Sequence, residues 1–169
     1  MSDSARAIVL IGAPGAGKTR AGKRVARILG MPFVDTDKHI VAEHGPIATI
    51  FDEFGEPHFR RIERAVVAEA LRAGGVVTLG AGAVLDPDTQ ADLAAHTVIQ
   101  LVVSAEAVSD RIADGKRPLL RGGVGAWEAL IAARKPVYDT LADYTVDTSN
   151  LPPARVAAKI VAVLRKDSS

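Results

Sequence analysis

The sequence contains no cysteine. That excludes disulfides, zinc ribbons, iron–sulfur clusters and thiol catalysis. It also has almost no net charge, because 21 Lys and Arg stand against 20 Asp and Glu, leaving +1. A dedicated nucleic-acid binder or a membrane-surface protein would carry a basic excess, so neither is expected. No apolar run approaches the roughly 20 residues needed to cross a bilayer. The apolar stretch 7–11 runs at once into a Gly/Pro loop and does not read as a signal peptide. His39, His44, His58 and His96 are scattered without ligand spacing, so no metal is assigned to them. These absences leave a soluble, cytoplasmic protein, expected to act as a monomer without nucleic-acid or membrane partners.

What is present fits one domain over residues 1–169, with 48% apolar and 24% charged residues, enough to bury a core. The near-zero net charge conceals an asymmetry. Of the basic residues 14 are Arg and 7 are Lys, and arginine suits forked recognition of carboxylates and phosphates.

Short apolar runs alternate with amphipathic segments. Ala7–Ile11, Pro32–Val34, Val76–Leu79 and Thr97–Val102 read as buried strands, and Tyr144–Val146 as a weaker one. Continuous apolarity is what a sheet covered on both faces requires. Helical spacing joins Ala21, Val25, Ile28 and Leu29, and likewise Ile62, Val66 and Ala70 with their neighbours Val67 and Leu71. Residues 127–138 and 154–164 carry similar patterns. Strand–helix alternation of this kind implies an α/β fold with a mostly parallel sheet. Gly74-Gly75 should close one helix. Residues 114–125, with four glycines, one proline and three basic residues, are too polar and flexible for core.

The strongest local signal is Gly12-Ala13-Pro14-Gly15-Ala16-Gly17-Lys18-Thr19, which fits G-x-x-x-x-G-K-[ST] between a strand and a helix. Its glycines let successive N–H groups turn inward onto phosphate oxygens, and the following helix adds its positive N-terminal end. Gly15, Ala16, Gly17, Lys18 and Thr19 are thus the nucleotide ligands. Lys18 would reach the β- and γ-phosphates, and the Thr19 hydroxyl would ligate Mg²⁺. A switch GTPase would add D-x-x-G and N-K-x-D motifs, which the sequence lacks. A motor or transporter ATPase would end an apolar strand in Asp, whereas Val76–Leu79 runs into Gly80-Ala81-Gly82. A small-molecule kinase remains. Asp35-Thr36-Asp37 follows the second strand, so both carboxylates emerge at the sheet edge where such folds bind ligands. Alternation along the strand would aim Asp35 at the metal, directly or through water, and Asp37 at an acceptor hydroxyl. An aspartate here also suits a helix cap before Lys38, and the two roles can coexist.

Arg60, Arg117 and Arg134 are candidates for the phosphoryl group or an anionic acceptor. The alternative is a solvated helix face, since Glu56 and Arg60 are spaced i,i+4, as are Arg60 and Arg64.

Taken together, the phosphate loop, D-T-D at Asp35–Asp37, F-R-R-I-E at Phe59–Glu63, the turn Gly80–Val84, R-P-L-L at Arg117–Leu120 and R-x-P-x-Y at Arg134–Tyr138 resemble the shikimate kinases, in order and over essentially the whole chain. The resemblance implies a five-stranded parallel sheet flanked by helices, related to nucleoside monophosphate kinases. It implies transfer of phosphate from ATP to the 3-hydroxyl of shikimate, with Mg²⁺, in aromatic amino-acid biosynthesis. By the same resemblance, Asp37 holds the acceptor hydroxyl and can take its proton. Arg60 and Arg134 clamp the acceptor carboxylate, and Gly80, Ala81 and Gly82 contact it. Arg117 swings in with a lid at about 114–125, Arg111 and Pro153 lie against adenine, and 37–64 forms the substrate region. Lys18, Asp37 and Arg117 are the catalytic candidates. Gluconate kinase, another small-metabolite kinase, and an NTP-regulated binding module are the alternatives.

One position departs from the family pattern, whose turn usually reads Gly-Gly-Gly. Ala81 occupies the middle, where a positive φ would cost roughly 1 kcal/mol or more. A negative φ with the N–H still offered to substrate is therefore expected.

Overall fold

The structure is a computed structural model that describes residues 6–113 and 123–167. The chain runs β1 (Ile8–Gly12), α1 (Lys18–Leu29), β2 (Phe33–Asp35), α2 (Thr36–His44), α3 (Ile47–Phe54), α4 (Glu56–Ala73) and β3 (Val76–Thr78). It continues through α5 (Pro87–Leu93), β4 (Thr97–Val102), α6 (Ala105–Ala113), α7 (Gly123–Leu141), β5 (Tyr144–Asp147) and α8 (Pro153–Asp167). The five strands are parallel in the order β2-β3-β1-β4-β5. Every residue of β1 and β3 is buried, as the unbroken apolar runs require.

Two layers of helices cover the sheet. On one face Ala21, Val25 and Ala26 of α1 meet Val156, Ala157, Ile160 and Val161 of α8 over Leu10 and Ile99. On the other, Val67, Ala70 and Leu71 of α4 and Tyr138 of α7 pack over Val9, Ile11 and Val98. Gly22 permits the first packing, because a Cβ there would lie 2.7 Å from the Phe33 ring and 2.8 Å from Thr78. A smaller cluster of Ile40, Ile50, Phe59 and Val66 joins α2, α3 and α4 beside the sheet.

This topology places the site. β1 sits between β3 and β4, so the connections leaving its two sides diverge and open a crevice at its carboxyl end. The phosphate loop follows there directly.

The structure departs from the sequence expectations in several places. Residues 123–125 begin α7 rather than belonging to an irregular lid, and the rest of the expected lid, including Arg117, lies outside the described residues. Helices α3, α5 and α6 carried no pattern long enough to read. The helix expected from Lys38 begins at Thr36, because Asp35 caps it by accepting from the Lys38 N–H at 3.1 Å.

One buried histidine ties β1 to β4 at the amino end of the sheet. His96 Nδ1 accepts the Ala7 N–H at 2.9 Å, and burial followed by the Arg6 charge lowers its pKa from 6.5. A depressed folded-state pKa makes the neutral form the native one. Its contribution is complete above the unfolded pKa and is lost as pH falls below it toward the folded value. His96→Asn keeps an acceptor but cannot titrate. Thermal melts should therefore show the wild type losing more Tm than His96→Asn between pH 7.5 and pH 5.5, values set about one unit either side of the histidine range. Equal losses would show that His96 does not contribute this pH dependence.

Candidate active site

The phosphate loop begins where a side chain is impossible. Gly12 has φ 143°, and a Cβ there would lie 2.3 Å from the Leu101 carbonyl oxygen. Gly15 and Gly17 also have positive φ, at 86° and 87°. A loop that turns its N–H groups inward must turn its carbonyls outward, and buried carbonyls need donors. Each one from Gly12 to Ala16 has a donor. Lys18 Nζ donates to Gly12 O at 2.7 Å and to Ala13 O at 3.0 Å. Trp127 Nε1 donates to Pro14 O at 2.8 Å. Arg111 Nη1 donates to Gly15 O, and Thr148 Oγ1 donates to Ala16 O at 2.9 Å.

Two cavities meet at this loop. One, of about 240 Å³, is lined by Gly15, Ala16, Gly17, Arg20, Arg111, Thr148, Leu151, Pro153 and Val156. It gathers Arg111 and Pro153, as expected for a nucleotide base, and Arg111 also bonds Thr148 O at 3.1 Å. Arg20, Thr148 and Leu151 were not singled out from sequence, although Asp147–Asn150 is a polar turn directly after a strand. The other cavity, of about 280 Å³, is lined by Lys18, Thr19, Asp35, Asp37, Lys38, Thr78, Gly80 and Ala81 among others.

Thr19 Oγ1 donates to Asp35 Oδ2 at 2.5 Å. Adjacent hydroxyl and carboxylate oxygens are hard donors of the kind Mg²⁺ prefers, directly or through water. Asp37 diverges from Asp35 for a reason other than strand alternation. β2 ends at Asp35, and Asp37 occupies the first turn of α2. The Thr36 hydroxyl anchors that turn on the Thr78 carbonyl at 3.1 Å. Burial, then the neighbouring Asp35 charge, raises the Asp37 pKa, while Lys18 and Arg60 pull it down.

The glycine turn owes its composition to space rather than to dihedral freedom. A Cβ on Gly80 would stand 2.6 Å from Asp37 Oδ1, and one on Gly82 would stand 2.6 Å from Arg60 Nη2. Gly82 has φ −96°, an ordinary value. No described non-glycine residue has positive φ, so Ala81 sits between the two without backbone strain. Its carbonyl accepts from the Tyr138 hydroxyl at 2.6 Å.

Arg60 lies on α4 and pairs with Glu63 at 2.7 Å and Glu56 at 3.4 Å. Burial works against its charge, but these carboxylates hold its pKa above the usual value. Glu63 is buried and was assigned no role from sequence, although its i,i+3 spacing from Arg60 was a usable signal. Burial raises the Glu63 pKa, opposed by Arg60 and more weakly by Arg134, with Asp37 adding to the rise. Glu63 thus lies within electrostatic reach of Arg60, Arg134 and Asp37, the three residues expected on the acceptor side. Arg134 on α7 also lowers the Tyr138 pKa, which burial raises. Arg64 instead binds Asp92 at 2.7 Å and Thr89 at 3.1 Å, a structural tie between α4 and α5.

Comparisons with known proteins point one way. The family model described as shikimate kinase matches residues 14–165. The shikimate kinase of Thermobifida fusca is 47% identical over 156 residues, covering 90% of this chain and 91% of that protein. A solved shikimate kinase from Acinetobacter baumannii, in complex with shikimate, superposes with a TM-score of 0.87 at 30% identity, covering 98% of this chain and 96% of that one. A gluconokinase from Sinorhizobium meliloti has a TM-score of 0.60 at 18% identity, covers 98% of this chain and 99% of that one, and shares the fold alone.

The electrostatics of the acceptor side can be measured directly. By NMR titration of the side-chain carboxyl carbon, Asp37 should titrate above the ordinary aspartate range, and Arg60→Ala should raise it further by removing a cation that lowers it. A fall on removing Arg60, or titration below the ordinary range, would mean the carboxylate is not in this environment.

Proposed function

The chain belongs to the shikimate kinase family, and we propose from that premise how its residues carry out the ATP-dependent phosphorylation of shikimate. One observation carries the reading. Gly80 and Gly82 leave the space into which the Asp37 carboxylate and the Arg60 guanidinium fit, beside the phosphate loop. A carboxylate and a cation held there match an acceptor with a hydroxyl to phosphorylate and a carboxylate to grip.

ATP lies with its base in the cavity of Arg111 and Pro153 and its phosphates on the N–H groups of Gly15, Ala16 and Gly17. Lys18, held at the loop carbonyls and lining the phosphate cavity, reaches the β- and γ-phosphates from there and stabilises charge on the transferring group. Thr19 and Asp35 hold Mg²⁺, whose chemistry when bound is neutralisation of phosphate charge. Arg60 and Arg134 clamp the shikimate carboxylate, Arg60 being oriented by Glu63, and Gly80, Ala81 and Gly82 line the acceptor. Asp37 orients the 3-hydroxyl. As the 3-oxygen bonds the γ-phosphorus, the bond from that phosphorus to the β,γ-bridging oxygen breaks and its electron pair leaves with ADP, while Asp37 takes the hydroxyl proton, giving shikimate 3-phosphate. A loose transition state asks little of a base, so orientation is the larger part of the Asp37 contribution. Arg117, outside the described residues, would add positive charge at the γ-phosphate from the segment that precedes α7, while 37–64 serves as the substrate region.

One chain supplies both sides of the cleft, which supports a monomer as the working unit. Neither a nucleic acid nor a membrane surface is part of the reading, and no helix among the described residues is long and apolar enough to cross a bilayer. The cytoplasm, where ATP is available as the co-substrate, is the proposed place of action.

The test is an ADP-release assay with MgATP and a panel of shikimate, gluconate, AMP and CMP. Turnover should require shikimate, and turnover with gluconate or a nucleotide instead would overturn the reading. In the same assay Gly82→Ala, which pushes the Arg60 guanidinium aside, should raise the KM for shikimate by about tenfold, the worth of one charged hydrogen bond. The KM for ATP should stay near wild type. Equal rises in both would assign Gly82 to the scaffold instead.

A further inference from the structure

Trp127 is the only tryptophan in the sequence, and it is buried against Ala13 and Val108 with its indole N–H on the Pro14 carbonyl. That carbonyl belongs to the Pro14–Gly15 peptide. The unit is trans and planar, so its C=O faces Trp127 while its N–H faces the opposite, concave side of the loop. A phosphate oxygen accepting from the Gly15 N–H polarises the whole unit and makes the Pro14 oxygen a stronger acceptor. Occupancy of the loop is therefore felt at the indole.

The helix that carries Trp127 also carries the acceptor side. Eleven residues along α7, close to three full turns, Tyr138 faces the same way and donates to Ala81 O at 2.6 Å. Arg134 lies between the two anchors. Between these anchors the helix is not closely packed on β4. A cavity of about 330 Å³ separates them, lined by Ala13, Val102, Trp127, Ile131 and Tyr138 among others. At its far end α7 is held twice, by Tyr138 and by Asp139, which accepts from Gln100 of β4 at 3.0 Å, whereas across the open cleft its near end is held by the Trp127 bond, an arrangement that lets the stretch carrying Arg134 follow the strength of that bond.

We propose that Trp127 is a positioning residue that couples the two substrate sites: nucleotide phosphates on the loop strengthen its bond to Pro14, fix α7, and so set Arg134 and the Tyr138–Ala81 contact for shikimate. The proposal rests on the reading of Arg134 as an acceptor ligand. Linkage makes the coupling reciprocal, so shikimate tightens the nucleotide by the same factor.

Calorimetric titration of shikimate with and without saturating MgADP tests it. In the wild type MgADP should tighten shikimate by about fivefold or more, and in Trp127→Phe, which keeps the ring but not the N–H, by less than about twofold. A Trp127→Phe protein with wild-type Tm that keeps the full tightening would overturn the proposal, as would a wild type that shows none. Should Trp127→Phe not fold, the wild-type emission decides: MgADP alone must shift the tryptophan fluorescence, and an unchanged spectrum defeats the coupling. Arg134→Ala separates the two claims. If it binds shikimate as the wild type does, the acceptor-site reading fails, while a persisting MgADP-induced fluorescence shift keeps the loop-to-indole link.

Discussion

The phosphate loop imposes a condition that the rest of the chain meets. To present N–H groups to a polyanion, consecutive peptide units must face the same way, and their carbonyls then face the protein interior, where an unpaired acceptor costs about 1–3 kcal/mol. Five carbonyls from Gly12 to Ala16 are exposed to this demand. The donors are a lysine within the motif, an indole from α7, a guanidinium from α6 and a hydroxyl from the turn after β5. The loop is shaped locally by its glycines and held by residues from the second half of the chain.

That division explains what the sequence made legible. The loop, its flanking strand and helix, and the pair Asp35 and Asp37 are local, and contiguous residues with the right spacing are enough to read them. The donors are not local: Thr148 is 132 residues from Ala16, Trp127 is 113 from Pro14 and Arg111 is 96 from Gly15. No periodicity records such a contact, so Thr148 was missed and Trp127 read only as part of a helical pattern. The shorter helices α3, α5 and α6 escaped for a related reason, since seven to nine residues give about two turns of pattern.

The glycine turn shows a different limit. A Gly-rich stretch suggests unusual dihedrals, and the replacement of one glycine by Ala81 looked like a question of strain. The constraint is steric, and it acts at the outer two positions, whose missing side chains make way for Asp37 and Arg60. The middle position is released from it. Glu63 belongs to the same lesson, because its value comes from burial beside Arg60, and burial is a tertiary property. The arginine excess over lysine suggested anion recognition. It could not tell Arg60, set beside Gly82 of the glycine turn, from Arg64, which fastens two helices together.

If satisfying the outward carbonyls is what fixes the loop, then removing one donor without changing shape must weaken the nucleotide and leave the acceptor alone. Thr148→Val is such a change, since it deletes the hydroxyl that donates to Ala16 O and retains the branched side chain. Calorimetric titration with MgADP should give a Kd raised about tenfold over wild type, with the Kd for shikimate in the absence of nucleotide preserved. An unchanged MgADP affinity in a folded Thr148→Val protein would contradict the account.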